Sequence, residues 1–139
     1  MATIHTILLA DCIVIGHATL SHLLLSNDAR YPWCILVPDR DGISEIHELN
    51  NEDQVLLLKE ITQLSRAMMQ AFDADKMNIA ALGNVVPQLH VHCIARYKND
   101  PAWPDPVWGK FPAKSYSETG REQVLSTLKA ALGASYQWL

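Results

Sequence analysis

The segment with the most chemical potential is residues 88–95, in which polar and apolar side chains alternate with period two. Alternate residues of a β-strand face the same side of a sheet, so Gln88, His90 and His92 are predicted to line one face. Burying three hydrogen-bonding side chains without partners is costly. This face is therefore expected to meet water or a polar ligand.

Three interpretations of the two imidazoles remain open. They could chelate a metal such as zinc, with further histidines available at no recognisable spacing: His5, His17, His22 and His47. They could also be ordinary structural residues whose hydrogen bonds are formed within the core or with water. In the third interpretation, one imidazole attacks a phosphorus atom while the other holds the phosphate oxygens, because a neutral histidine is a competent nucleophile near its ordinary pKa of ~6.5. The residue pattern favours the third.

The elements that must position these residues can be read from the rest of the chain. Short apolar runs predict strands at residues 12–15, 20–25, 33–37, 77–82 and 88–95, with turn residues at 16–19 between the first two. A long helix is predicted from an N-cap at Asn51, with one apolar stripe: Leu57, Ile61, Leu64, Met68 and Phe72. A last helix is predicted from Thr119, with a capping box to Glu122, and ends at Gly133. The sum is an α+β fold with about five antiparallel strands and two main helices.

The composition of the chain narrows the classes of function that are expected. The chain has 139 residues, enough for one domain over residues 1–139, with a formal net charge of −4. A mildly acidic chain does not predict binding to a nucleic-acid polymer, which needs a basic stripe. Three scattered cysteines favour a reducing cytoplasm over a disulfide framework. Because the first basic residue is Arg30 and no apolar run is long enough for a bilayer, neither a signal peptide nor a membrane span is expected.

With these segments in view, the sequence resembles the histidine triad (HIT) family. The family signature is His-φ-His-φ-His-φ-φ on a strand, where φ is apolar, and here it reads Gln88-Leu89-His90-Val91-His92-Cys93-Ile94. The resemblance runs over roughly residues 8–110 and includes an apolar strand ending in proline at 33–38, a helix lead-in at 43–49 and a turn at 83–86. Residues 27–33, 83–88 and 103–109 look like a bacterial HIT-like branch. In domain terms, the triad region is 78–95, and a Pro/Trp loop and helix follow at 100–133.

The resemblance implies a fold, a reaction and catalytic roles. HIT proteins are homodimeric α+β domains that hydrolyse or transfer nucleoside monophosphate groups without a required cofactor, although a bound divalent metal is compatible with the chemistry. By resemblance, His90 attacks the α-phosphorus and forms a nucleotidyl-histidine, and His92 donates to a non-bridging oxygen. Gln88 stands in the first His position, where it can form hydrogen bonds but cannot carry a proton. Trp33 stands where many relatives have a histidine, and a core aromatic is the alternative reading.

The resemblance also suggests residues that bind the nucleotide. Asn84 would lie near the phosphate, and Asn78 roughly matches a polar residue before that turn. Asn27 or Asp28 would meet the ribose, with plain turn chemistry as the alternative. Trp108 would shape the base or leaving-group side of the pocket, or contact a partner subunit.

Two other functions stay open at this stage. Because Gln88 and Trp33 replace expected histidines, the chain could be a nucleotide-binding module with little catalysis. Because His90 and His92 form a His-x-His pair, it could be a metal-binding protein.

Overall fold

The computed structural model describes residues 2–139 and is built around one six-stranded sheet. The strands are β1 (Cys12–His17), β2 (Ser21–Ser26), β3 (Trp33–Pro38), β4 (Lys76–Ala80), β5 (Val91–Arg96) and β6 (Gln137–Trp138). Their order is β4-β5-β3-β2-β1-β6, and every neighbouring pair is antiparallel. The α+β fold with an antiparallel sheet is confirmed. The predicted count of five strands missed β6, whose two residues are too few to show a period.

Three α-helices accompany the sheet: α1 (Thr6–Asp11), α2 (Asn51–Ala71) and α3 (Glu118–Leu132). The predicted N-cap of α2 was one residue late, because the Asn50 side chain accepts the hydrogen bond from the Asp53 backbone N–H at 2.8 Å. The predicted capping box of α3 is also corrected: Ser117 is the cap, and its hydroxyl accepts from the Gly120 backbone N–H at 3.0 Å.

The helix α1 was not predicted. It has only six residues, fewer than two helical turns, in an apolar stretch that runs on into β1. The His5 side chain accepts a hydrogen bond from the backbone N–H of Ile7 and so caps the helix. Histidine is not among the strongly preferred N-cap residues, which explains why no start signal is visible in the sequence.

The helices α2 and α3 pack on one face of the sheet. Leu57, Leu64 and Met68 of α2 are buried there with Leu128 and Leu132 of α3. They share a cluster with the inward side chains of the central strands, among them Leu23, Leu25 and Cys93. The predicted apolar stripe of α2 is thus confirmed as core, and it makes this face the main hydrophobic core.

The opposite face is covered by connecting segments and by the short α1. Leu24, Ile35 and Ile94 alternate with the residues of the first cluster and pack against side chains from outside the sheet: Leu8, Val86, Ala102 and Val107. Because the residues on β5 alternate, His92 belongs to this second face. Among residues 2–139, the helices are too short or too polar to cross a bilayer.

Candidate active site

A cavity of about 640 Å³ opens on the face of the sheet that the connecting segments cover. Its floor includes His90 and His92, and its walls come from α1, from the β2–β3 connection around Asp28, from residues 82–86 and from residues 107–115. Both imidazoles are buried, with exposed fractions of 6% for His90 and 7% for His92. The cavity is mostly apolar with a few polar groups, as is typical of a small-molecule site.

His90 is held in one tautomer. Its Nδ1 lies 2.7 Å from the backbone carbonyl oxygen of Gln88. A carbonyl oxygen can only accept, so Nδ1 carries the proton and donates it. In neutral His90 the lone pair therefore resides on Nε2, and an imidazole nitrogen with a free lone pair is chemically able to act as a nucleophile.

His92 is held in the opposite tautomer. The indole Nε1–H of Trp33 donates to Nδ1 of His92 at 3.0 Å. An indole nitrogen is only a donor, so Nδ1 accepts and the proton of neutral His92 resides on Nε2. Burial, with a smaller contribution from His90, lowers the pKa of His92 to about 4. His92 is therefore a neutral hydrogen-bond donor at pH 7.

The two imidazole rings lie next to each other and next to two tryptophan rings. The centroids of His90 and His92 are 5.0 Å apart. Trp108 stands nearly perpendicular to His92, with a centroid distance of 5.0 Å, and 5.7 Å from the Trp33 ring. The arrangement offers a nucleophile, a donor and apolar surface within one cavity.

The loop that carries Trp108 is anchored by a buried arginine. Arg96, at the end of β5, is 1% exposed and forms an ion pair with Asp100 at 2.7 Å. Its guanidinium also donates to the backbone carbonyl of Asp105 at 2.9 Å and lies 5.7 Å from the Trp103 ring centroid. These contacts fix the start of the segment that ends at Trp108.

Four of the residues predicted to bind substrate line the cavity: Asn27, Asp28, Asn84 and Trp108. The Asp28 carboxylate is 2% exposed and pairs with Arg30 at 2.7 Å. Burial alone would raise the pKa of Asp28, but hydrogen bonds from Arg30 outweigh it and lower that pKa. The Asn27 side-chain oxygen accepts from the backbone N–H of Tyr116 at 3.0 Å. Both side chains therefore also stabilise the β2–β3 connection, as the alternative prediction of a turn-forming role indicated.

Gln88 and Asn78 lie away from the described walls of the cavity. The strand β5 begins only at Val91, so the predicted same-face row does not extend to Gln88. Its amide oxygen accepts from the His5 backbone N–H at 2.8 Å, and its amide nitrogen donates to the Thr3 carbonyl at 3.1 Å. Asn78, on β4, accepts from Arg96 at 2.8 Å.

Sequence reasoning missed two contributors to the site. Trp33 was read as a core aromatic or as a replaced histidine, yet its indole contacts His92 directly. The signal lay in the pairing of β3 with β5, which sets Ile35 opposite His92 and so places Trp33 on the same face. Arg30 also lines the cavity and had no predicted role.

A model of the HIT domain matches residues 9–99. The chain belongs to the HIT family. Histidine triad proteins of known structure superpose closely on it. One from Marinobacter aquaeolei is 52% identical with a TM-score of 0.92, covering 95% of this chain and 96% of its own. One from Bradyrhizobium japonicum is 45% identical with a TM-score of 0.91, covering 93% of this chain and 96% of its own.

A third HIT structure, from Sinorhizobium meliloti, is 42% identical with a TM-score of 0.91, covering 94% of this chain and 96% of its own. No curated protein matches the chain. HIT-family proteins are generally nucleotide-binding hydrolases or transferases. Family and fold are thus established, and the substrate and the catalytic residues must be argued from the site.

Proposed function

We propose that this HIT protein is a hydrolase or nucleotidyl transferase that acts on the α-phosphate of a nucleoside phosphate derivative, such as a dinucleoside polyphosphate or a phosphoramidate. The observation that carries the proposal is the complementary protonation of two neighbouring imidazoles. Nδ1 of His90 donates to the Gln88 carbonyl, and Nδ1 of His92 accepts from Trp33. One ring therefore offers a lone pair at Nε2 and the other a proton at Nε2.

In the first step, Nε2 of His90 attacks the α-phosphorus. A P–N bond forms, the bond from phosphorus to the leaving group breaks, and the leaving group takes the electron pair. The Nε2–H of His92 donates to a non-bridging oxygen, where charge builds up in the transition state. The low pKa of His92 keeps this ring in its neutral donor form throughout the physiological range.

In the second step, water or another acceptor attacks the same phosphorus. The P–N bond breaks, His90 recovers its lone pair, and the acceptor loses a proton to solvent or to the departed leaving group. Dividing the reaction through a covalent nucleotidyl-histidine lowers each barrier. No metal or other cofactor is required by these steps.

Gln88 occupies the first triad position in this proposal and acts through its backbone. Its carbonyl fixes the tautomer of His90, and its side chain joins the amino-terminal segment at His5 and Thr3. The side-chain amide cannot supply a proton to a leaving group. Leaving groups that depart as stable anions are therefore the preferred ones.

The remaining predicted residues shape the nucleotide pocket. Asn84 would hold the phosphate, and Asn27 or Asp28 the ribose, while Trp108 would stack against the base or the leaving group. Asn78 would contribute only indirectly, through Arg96 and the loop that Arg96 anchors. The proposal includes a homodimer in the cytoplasm.

The test is turnover of adenosine phosphoramidates and dinucleoside polyphosphates by wild type and by His90→Ala. We expect turnover in wild type and a mass gain of one nucleoside monophosphate in the intact protein, with both lost in His90→Ala. The matched control is His47→Ala, because His47 is exposed on a 3-10 turn and its loss should leave both readouts unchanged. Equal turnover in wild type and His90→Ala would refute the mechanism.

A second function is favoured by the Gln88 side chain, which faces the amino-terminal segment instead of the cavity. A site with no proton donor for the leaving group could bind nucleotides with little catalysis. Tight nucleotide binding by wild type and His90→Ala, with no turnover and no adduct in either, would establish this binding module.

A further inference from the structure

A second pair of imidazoles lies beside an aspartate elsewhere in the same sheet, on β1, β2 and the end of β3. His17 ends β1 and stands directly opposite His22 of β2 in the sheet register. Asp39 follows β3 directly, and its backbone N–H donates to the Leu20 carbonyl at 2.9 Å, which fixes it beside the hairpin. The turn residues at 16–19 predicted a turn at His17, but β1 extends through it. The sheet thus brings together two histidines that have no recognisable spacing in sequence.

The spacing of the three side chains suits a metal ion. Their ligand atoms all lie within 4.8 Å of one another. Nε2 of His17 is 3.3 Å from Oδ2 of Asp39, and Nε2 of His22 is 3.6 Å from Oδ1. Ligands of a tetrahedral zinc ion, bound at about 2.0–2.1 Å, stand about 3.3 Å apart. The cluster is therefore near the required geometry before any ion is bound.

The surrounding hydrogen bonds orient the ligands as metal sites require. Nδ1 of His17 faces the Ala18 carbonyl and donates to it, which leaves Nε2 for a metal. The Asp39 carboxylate is fixed by the backbone N–H of Ala2 at 2.6 Å. A ligating histidine commonly donates its other N–H to a backbone carbonyl, and ligating carboxylates are themselves hydrogen-bonded.

His22 supplies an independent observation. Its Nε2 is buried and has no hydrogen-bond partner among residues 2–139. A buried polar atom without a partner is costly, and such atoms commonly mark an ion or water. A metal ion between His22 and Asp39 would satisfy this nitrogen.

The Arg40 guanidinium lies close to the cluster and is paired with another carboxylate. Arg40 follows Asp39 in sequence and donates to the Asp39 backbone carbonyl at 2.9 Å. Its guanidinium forms an ion pair with the Asp53 carboxylate at 2.8 Å. Because Asp53 offsets this charge, the Asp39 carboxylate is left to the two histidines.

We propose that His17, His22 and Asp39 form a binding site for a divalent transition metal, with zinc as the best-matched ion. Two imidazole nitrogens and one carboxylate oxygen are a donor set that zinc accepts, with a fourth position for water. The side chain of His17 is 32% exposed, so solvent reaches the site from that side. Through Ala2, the bound ion would tie the amino-terminal segment to the ends of β1, β2 and β3. This site is separate from His90 and His92 and does not depend on the proposed reaction.

The experiment uses full-length protein without an affinity tag, stripped with a chelator and titrated calorimetrically with zinc chloride. We expect one equivalent of zinc to bind, and His17→Gln, His22→Gln and Asp39→Asn each to weaken it by at least about 10-fold. The matched controls are His90→Ala and His47→Ala, which should bind zinc as wild type does. Magnesium should not bind, because it prefers sites built only from oxygen ligands.

Thermal unfolding separates loss of a ligand from loss of the fold. Zinc should raise the Tm of wild type and of His90→Ala but not that of His17→Gln, the variant at the most exposed ligand. Stripped His17→Gln should melt near stripped wild type. Unchanged zinc affinity in His17→Gln and His22→Gln would overturn the proposal. Loss of zinc binding in His90→Ala would also overturn it, by assigning the ion to the His-x-His pair.

Discussion

Trp33 donates its indole N–H to Nδ1 of His92 over 3.0 Å and thereby determines which nitrogen of His92 carries the proton. An aromatic residue on β3 thus sets the chemistry of a histidine on β5. The indole does not titrate in this range, so the assignment holds wherever His92 is neutral, that is, above its pKa of about 4.

We expect Trp33→Phe to keep the ring packing and to lower kcat by about 10-fold, because His92 no longer has a fixed donor orientation. The lost hydrogen bond should also lower the free energy of unfolding by about 1 kcal/mol. The control is Trp138→Phe, which removes an indole hydrogen bond to the Gly133 carbonyl outside the cavity. Steady-state kinetics with a nucleotide anhydride would check this, and equal kcat values in the two variants would contradict it.

The pKa of His92 makes stability depend on pH in a defined window. His92 has a pKa of about 4 in the folded protein and about 6.5 unfolded, so the unfolded chain binds more protons between these values. The contribution of His92 to the free energy of unfolding is fully present above pH 6.5 and is lost as pH falls towards 4. The total loss is up to about 3 kcal/mol. Denaturant unfolding should therefore show a shallower pH dependence in His92→Gln than in wild type or in His47→Gln. Parallel curves of unfolding free energy against pH for all three proteins would contradict the lowered pKa of His92.

Leaving-group preference follows from Gln88. Since its amide cannot donate a proton to a basic amine, nucleotide anhydrides should turn over faster than alkylamine phosphoramidates. A panel of adenosine substrates with graded leaving-group pKa values should give a steep fall in kcat/KM as basicity rises. Fastest turnover of the amine-leaving substrates would show that another group supplies the proton.

Trp108 is 36% exposed and covers His92, so its removal should affect substrate binding more than stability. We expect Trp108→Ala to raise KM or Kd for the nucleotide by about 10-fold, the lower part of the range for one lost base-stacking contact. Val55→Ala, on the exposed side of α2, is the control for shortening an exposed apolar side chain. Titration with a nucleotide, together with analytical ultracentrifugation, would check both affinity and subunit association. Unchanged values of both would leave Trp108 without a functional role.

The Arg96–Asp100 pair should be the costliest ion pair to break. Both side chains are almost fully buried, so Asp100→Asn leaves a buried guanidinium without its countercharge and should cost about 3–5 kcal/mol. Lys110→Ala, which breaks the exposed pair with Asp105, should cost no more than about 1 kcal/mol. Urea unfolding would check this, and equal losses in the two variants would contradict it.

Local patterns in the sequence predicted most of the scaffold. The apolar stripe from Leu57 to Met68 is buried as its spacing indicated, and Gly133 ends α3 with a positive φ of 53°. The errors occur where the local signal is weak. His5 is an unusual cap for α1, β6 has two residues, and Gln88 lies just before its strand.

The site required information that no single segment carries. His90 and His92 stand out by their spacing, but their tautomers depend on the Gln88 carbonyl and on Trp33, which is 59 residues away from His92. His17 and His22 meet only because the register of β1 and β2 sets them opposite each other. The His92 tautomer and the meeting of His17 with His22 both depend on pairing between distant segments. Periodicity along one strand does not predict such pairing.

The two faces of the sheet are covered by different kinds of structure, and this has a consequence for divergence. The helix-covered face holds most of the buried apolar residues, while the cavity is walled largely by connecting segments. Connecting segments tolerate changes in length and sequence that a packed helix does not. Relatives can therefore acquire new ligand preferences by altering residues 82–86 or 107–115, with the scaffold beneath them unchanged.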